Sequence, residues 1–320
     1  VETITFRAMD TDVHLIVADE TQRHGDAVDG RTQSIDREAL RDMIEAAAQQ
    51  IRQLESLLSR FVATSEISAI NREAGRWAPI SEPTALVLQN AIEAFAWTQG
   101  MFNPCLGSVM ETFGYSDTFS RLNSTSIVDR PSTIEALSVT DCALELSKER
   151  GHARVQLGYR LDLGGIGKGF IVEQAAATLG SHGVRNFLVD AGGDIVCSGD
   201  NDGRPWCVGI ADPFHPGQTL LRLDIHSLAV ATSGTYRRKW SHAGKQYHHL
   251  IDPRTGRPAA SDIVSCSVFH PNLITAEVLA KVCLLLGTER GIPWLAKQLP
   301  KGWVIVTQSA EVIHSWMSYM

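Results

Sequence analysis

The feature that most restricts the fold is a succession of strand-like segments in the second half of the chain. Between residues 186 and 269 seven short runs, at 186–191, 194–198, 206–210, 220–225, 229–232, 247–251 and 263–269, have strand character. Helical periods lie outside this succession, at 170–179 and 274–286, and two further strands, 303–307 and 312–316, follow. Strand runs with a few segregated helices predict an α+β fold with a mostly antiparallel sheet. No period of about 20 to 50 residues repeats, which excludes solenoids and propellers.

The first half supplies the helices. Ile4, Phe6 and Ala8 alternate, and after Asp10-Thr11 so do Val13, Leu15 and Val17, which predicts two paired strands. Residues 19–36 are polar and read as a surface loop or insertion. Leu40, Ile44, Ala47, Ile51, Leu54 and Leu58 recur at helical spacing over 38–58, with Asp36 as an N-cap. A second helix is expected over 84–98, closed by Gly100, with a polar segment at 65–71 before it. Residues 116–147 are rich in Ser and Thr and carry a short helix at 133–137, and Val155, Leu157, Tyr159 and Leu161 alternate like a strand. With 320 residues the chain can bury a sizeable core, and it is read as one domain, 1–320.

Charge narrows the function. Lys and Arg number 29 against 36 Asp and Glu, a net charge of -7 that gives no general attraction to nucleic acid. No run of about 18 apolar residues is present, so no membrane-spanning helix is expected. The start lacks the pattern of a signal peptide, which places the protein in the cytoplasm if Val1 is the true start. A removed leader would place it in the periplasm or on a membrane anchor. The six cysteines show no metal spacing and read as isolated buried thiols; Cys197 and Cys207, on neighbouring expected strands, are the one pair worth testing for a disulfide.

The densest chemical signal is Asp162-Leu163-Gly164-Gly165-Ile166-Gly167-Lys168-Gly169-Phe170, between an alternating segment and an apolar helix. Strand, glycine turn and helix start together make an anion site, with free N–H groups, a favourable dipole and an embedded lysine. It is neither a Walker loop nor a G-x-G-x-x-G turn, because Asp162, Gly169 and Val172 stand where those patterns need other residues. A second cluster, Tyr247 to Gly256, joins adjacent histidines to an Asp-Pro-Arg-Thr-Gly turn. Adjacent histidines on a strand face opposite ways, so one at most faces a given site.

Taken in order, seven stretches resemble the ApbE family of FAD:protein FMN transferases. They are Met9-Asp10-Thr11, Ser65 to Asn71, Gly100 to Gly107, Asp162 to Phe170, Asn186 to Asp194, Ala231 to Gly234, and His249 to Gly256. The resemblance implies a single T-fold-like domain with an FAD cleft, and Mg²⁺-assisted cleavage of FAD. AMP would be released, and FMN joined through a phosphoester to a Thr or Ser of an acceptor flavoprotein. It implies ligand contacts at Met9, Asn71, Phe102, Asn103, Asp162, Lys168 and Ile251, a metal-binding carbonyl at Gly165, a base at His249, and a catalytic, metal-binding carboxylate at Glu277. Three departures stand out. The family's metal-binding helix motif, with Asp and Thr one turn apart, here reads Ala276-Glu277-Val278-Leu279-Ala280-Lys281, and Asp10 replaces a glycine. Glu277 keeps a carboxylate, whereas Lys281 puts a cation where an oxygen ligand should be. Mg²⁺ is therefore doubtful, and two outcomes follow. Either the chain is a transferase with an altered metal site, or it binds FAD with weak transfer or only hydrolysis.

Overall fold

The computed structural model describes residues 1–18, 37–115, 117–118, 141–147, 149, 151–237, 239–242 and 245–316. The expected loop at 19–36 with its Asp36 cap, and the short helix at 133–137, lie outside them.

Strands β1 (Glu2–Ala8) and β2 (Thr11–Val17) form a hairpin whose turn residues Met9 and Asp10 have φ of 53° and 56°. Such left-handed pairs match the twist of a two-residue hairpin. Alternation in β2 sends Val13, Leu15 and Val17 into the core. The hairpin begins an eight-stranded antiparallel sheet. Beside β2 lie β6 (Phe187–Ala191) and β7 (Asp194–Ser198), then β10 (Ala229–Gly234), β15 (Ile263–His270), β16 (Gly302–Thr307) and β17 (Val312–Trp316). One face is covered by α1 (Arg37–Leu58), α5 (Gly167–Ser181) and α6 (Leu273–Lys297). The other carries the hairpin of β8 (Trp206–Ala211) and β9 (Thr219–Ile225) over Leu188, Ile195, Val230 and Phe269. This double covering explains why β16 is buried along its whole length.

The smaller elements flank this sheet. They are α2 (Glu66–Arg72), α3 (Glu82–Trp97), α4 (Gly107–Thr112), β3 (Ala78–Pro79), β4 (Leu144–Ser147) and β5 (His152–Val155), with the pairs β11 (Lys239–His242) with β12 (Lys245–His248) and β13 (Ile251–Asp252) with β14 (Arg257–Pro258). The segment read as polar, 65–71, is mostly helix α2, with Ser65 as N-cap accepting the Ser68 N–H and Ile67, Ile70 and Asn71 buried. Two expected strands are corrected. The alternation over 155–161 ends at Val155, because the chain turns and leaves Leu157 80% exposed. The expected strand 247–251 breaks after His248, whose Nε2 lies 3.1 Å from the Ala259 carbonyl oxygen and whose Nδ1 accepts the Leu250 N–H.

The late helix begins as expected, capped by Asn272, and its axis breaks at Gly287 (φ 75°) before continuing to Lys297. All six cysteines are free thiols. Cys197 packs inward with its Sγ 3.3 Å from the Leu228 carbonyl oxygen, while Cys207 faces outward on β8, so the one pair worth testing for a disulfide is not formed. Among the described residues no helix is long and apolar enough to cross a membrane.

Candidate active site

The glycine loop packs against the start of α6. Glu277, buried, reaches across and accepts the Gly169 N–H at 2.8 Å, and its other oxygen lies 3.5 Å from the Lys168 Nζ. A carboxylate at the N-terminus of α5 is well placed for the helix dipole. Lys168 is also ion-paired with the buried Asp194, at the start of β7. At the head of the loop Asp162 accepts the Gly164 N–H at 2.8 Å and pairs with the Arg60 Nε at 2.5 Å. Burial raises the Asp162 carboxyl, but the Arg60 and Lys281 charges and the Gly164 N–H outweigh it and hold it below its ordinary value. For Lys281 burial dominates and lowers the ammonium, partly offset by Asp162 and Glu277.

One expectation changes here. The Gly164 and Gly169 N–H groups are spent on Asp162 and Glu277, and that of Gly167 on the Leu163 carbonyl, so these three do not face a ligand. The glycines make room instead. A Cβ at Gly169 would lie 2.8 Å from the Glu277 Oε2, and one at Gly165 would collide with the Lys281 Nζ. Positive charge in the site therefore comes from side chains.

Two clefts meet over this loop. The first, about 270 Å³, is the more polar and is bounded by Thr11, Gly192, Thr232, Ser233 and Arg237, with Val208 and Ile210 of β8. The second, about 120 Å³, is more apolar and aromatic, with Met9, Leu58, Phe61, Met110, Tyr115 and Ile171. Asp10, Gly164, Lys168, His249 and Lys281 line both clefts and so mark the seam between them. His249 reaches it because β12 ends at His248 and the chain bends. The turn below, Asp252 to Gly256, is held by the Gly256 N–H on the Asp252 carbonyl and by an Arg254–Asp252 ion pair at 2.7 Å. An aromatic slot joined to a polar cleft across lysines and an imidazole suits an anionic ligand with a flat ring.

The model of the ApbE family matches residues 9–305. This chain belongs to the ApbE family. A FAD:protein FMN transferase of Treponema pallidum is 33% identical over 259 residues, 75% of this chain and 70% of that protein. Another, of Klebsiella pneumoniae, is 30% identical over 279 residues, 83% of each. Among solved structures, the ApbE protein of Thermotoga maritima superposes with a TM-score of 0.77 at 22% identity, covering 98% of this chain and 96% of that one. The flavin transferase ApbE of Vibrio cholerae gives 0.73 at 24% identity, covering 99% and 97%. At those identities the structures establish the fold.

Against the ApbE pattern, the expected site residues divide into two groups. Met9, Asp162, Lys168, Gly165, His249, Glu277 and Lys281 all line one cleft or both. Asn71, Phe102, Asn103 and Ile251 do not; they form the layer behind. Asn71 clamps the backbone of Leu161, donating to its carbonyl at 3.0 Å and accepting its N–H at 2.6 Å. Asn103 accepts the Cys105 N–H, and Ile251 packs with Leu106, Met110, Tyr115 and Trp240. Phe102 presents its ring 5.6 Å from the Lys281 Nζ. Asp10, the third departure, is paired with Arg7 at 3.1 Å. The sequence reading missed Arg60, buried between Phe61 and Tyr115, and Glu55, which accepts the Met9 N–H at 2.6 Å. No local pattern marks either one.

The Mg²⁺ that the resemblance implies does not fit these residues. Mg²⁺ demands near-octahedral oxygen ligands. Here Glu277, the carboxylate at the family's Asp position, is committed to Gly169 and lies beside Lys168, Asp162 and Asp194 are paired with Arg60 and Lys168, and the Lys281 ammonium fills the space against Gly165. Among the described residues no group of three or more His, Cys, Asp or Glu is placed to hold a metal ion.

Proposed function

We infer that this chain transfers FMN from FAD to a Thr or Ser hydroxyl of an acceptor protein, releasing AMP. The observation that carries this is the seam, where Lys168, Lys281 and His249 face the line along which an aromatic cleft opens into a polar one. A dinucleotide has that division, with ring systems at its ends and a diphosphate between. The relatives from Treponema pallidum and Klebsiella pneumoniae bear the name of this reaction, which supports the reading.

In the reaction the acceptor hydroxyl oxygen attacks the flavin-side phosphorus. The bond from that phosphorus to the bridging oxygen breaks, and AMP departs with the bridging oxygen and its electron pair. His249 takes the hydroxyl proton, a role worth about 10²- to 10⁴-fold in rate. Lys168 and Lys281 face the oxygens that gain charge. Lys168 needs little reorganisation, because Asp194 and Glu277 already hold its ammonium.

The test is incubation with FAD and acceptor polypeptides, reading covalent flavin by in-gel fluorescence and AMP by chromatography. Wild type should yield both in equal amounts. His249→Ala should lose transfer and keep FAD affinity; full activity in that variant would remove its role as base. AMP without covalent flavin would make the chain a hydrolase.

A further inference from the structure

Lys168 and Lys281 face the same seam in different electrostatic states. Lys168 is paired with Asp194 and lies 3.5 Å from Glu277. Among the described residues no carboxylate is within ion-pair distance of the Lys281 Nζ. The two carboxylates that act on its charge are engaged elsewhere, Asp162 by Arg60 and Glu277 by Gly169 and Lys168. Two features hold the ammonium in place. The face of Phe102 lies 5.6 Å away, and Gly165, having no side chain, leaves the space that the Lys281 Nζ and Cδ occupy. The Lys281 side chain is partly buried, and what it meets on its open side is the pair of clefts.

An ammonium that is partly desolvated, oriented by an aromatic face and without a carboxylate at ion-pair distance is poised for an anionic ligand. The neighbouring start of α5 adds a favourable dipole, although Glu277 offsets part of it. We propose that Lys281 is a tethered counter-cation for the FAD diphosphate and does the work that a divalent cation would do at this position. This rests on the transferase reading and specifies how its substrate is held. Glu277 then has a different task from metal binding. It caps α5 through Gly169 and orients Lys168, and the longer Glu side chain spans that gap.

A point charge on a fixed stem has a chemical consequence. It neutralises one unit of the diphosphate charge, binds no water for ionisation, and is indifferent to chelators. Recognition of FAD is accordingly independent of divalent cations.

The experiment is calorimetric titration of FAD, and separately of riboflavin, into wild type, Lys281→Met and Lys281→Arg, each with EDTA and with excess Mg²⁺. Wild-type affinity for FAD should be the same in both solutions. Lys281→Met should weaken FAD binding on the order of ten- to a hundredfold, the usual range for losing a hydrogen bond to a charged group. Riboflavin, which has no phosphate, should bind Lys281→Met as it binds wild type, and Lys281→Arg should keep FAD affinity largely intact. If Lys281→Met fails to fold, the chelation arm on wild type and the arginine variant still decide. A tenfold loss of wild-type FAD affinity in EDTA, recovered with Mg²⁺, would overturn the counter-cation and leave the transferase reading standing. Equal losses for riboflavin and FAD in a folded Lys281→Met would also overturn it. A wild type that binds neither ligand would remove the transferase reading and the counter-cation with it.

Discussion

The ion pair between Arg60 and Asp162 sustains one wall of the seam, and its removal has a calculable cost. The two side chains are only 6% and 9% exposed and meet at 2.5 Å; Arg60 also donates to the Tyr115 carbonyl at 2.8 Å and lies 4.2 Å from the Phe61 ring centroid. Arg60→Met keeps much of the volume but leaves Asp162 charged and buried, with the Gly164 N–H as its remaining hydrogen bond. Breaking a buried pair on one side costs about 3–5 kcal/mol, mostly through the orphaned charge. The Lys281 charge also acts on Asp162 and relieves part of this, so the lower end, about 3 kcal/mol, is expected. Asp162→Asn in the same background removes the orphaned charge, and the double variant should recover more than half of the loss. Urea unfolding of wild type, both single variants and the double variant provides the cycle. Arg60→Met within about 1 kcal/mol of wild type, or a double variant no more stable than Arg60→Met, would show that the buried Asp162 charge does not depend on Arg60.

Other consequences are equally concrete. Gly165→Ala places a Cβ against the Lys281 Nζ and 2.7 Å from its Cδ; the flexible lysine gives way, so FAD affinity should fall about tenfold while unfolding free energy changes by less than about 1 kcal/mol. Calorimetry and urea titration check both halves. Asn71→Ala orphans the buried Leu161 N–H and carbonyl and should cost about 2–4 kcal/mol in urea unfolding. A loss below about 1 kcal/mol would contradict the clamp. On the acid side, the Asp162 carboxyl lies below its unfolded value of 3.8. The stability it contributes is fully present above that value and is lost as pH falls through the folded one. Stability measured against pH should therefore decline less steeply in Asp162→Asn than in wild type below pH 3.8.

What the sequence made legible was whatever repeats locally. Period-two alternation marked β1 and β2, and the 3.6 period marked α1, because one face of each meets a continuous core. Two short helices, α2 and α4, span too few residues to show a period, although Ser65 before Glu66 is a visible cap. Leu157 was misleading: its alternation with Val155 is an accident of a turn that leaves it in solvent. The seam was half legible. The glycine loop, His249 and the departures at Glu277 and Lys281 all stand in local motifs. Arg60 with Asp162 and Asn71 with Leu161 join residues far apart in the chain, and only folding brings them together. The same holds for the use of the glycine N–H groups. Their number suggested phosphate donors, but Glu277, distant in sequence, claims one of them.

If the FAD diphosphate lies on the seam of the two clefts, a crystal structure of the wild type with FAD, grown in EDTA and again in Mg²⁺, will show it there. The pose should be the same in both. The diphosphate oxygens should lie within hydrogen-bonding distance of the Lys168 and Lys281 ammonium groups, over Gly165, with His249 facing the flavin-side phosphorus. A diphosphate bound away from the seam, or a divalent cation between it and Glu277 with Lys281 turned aside, would contradict it.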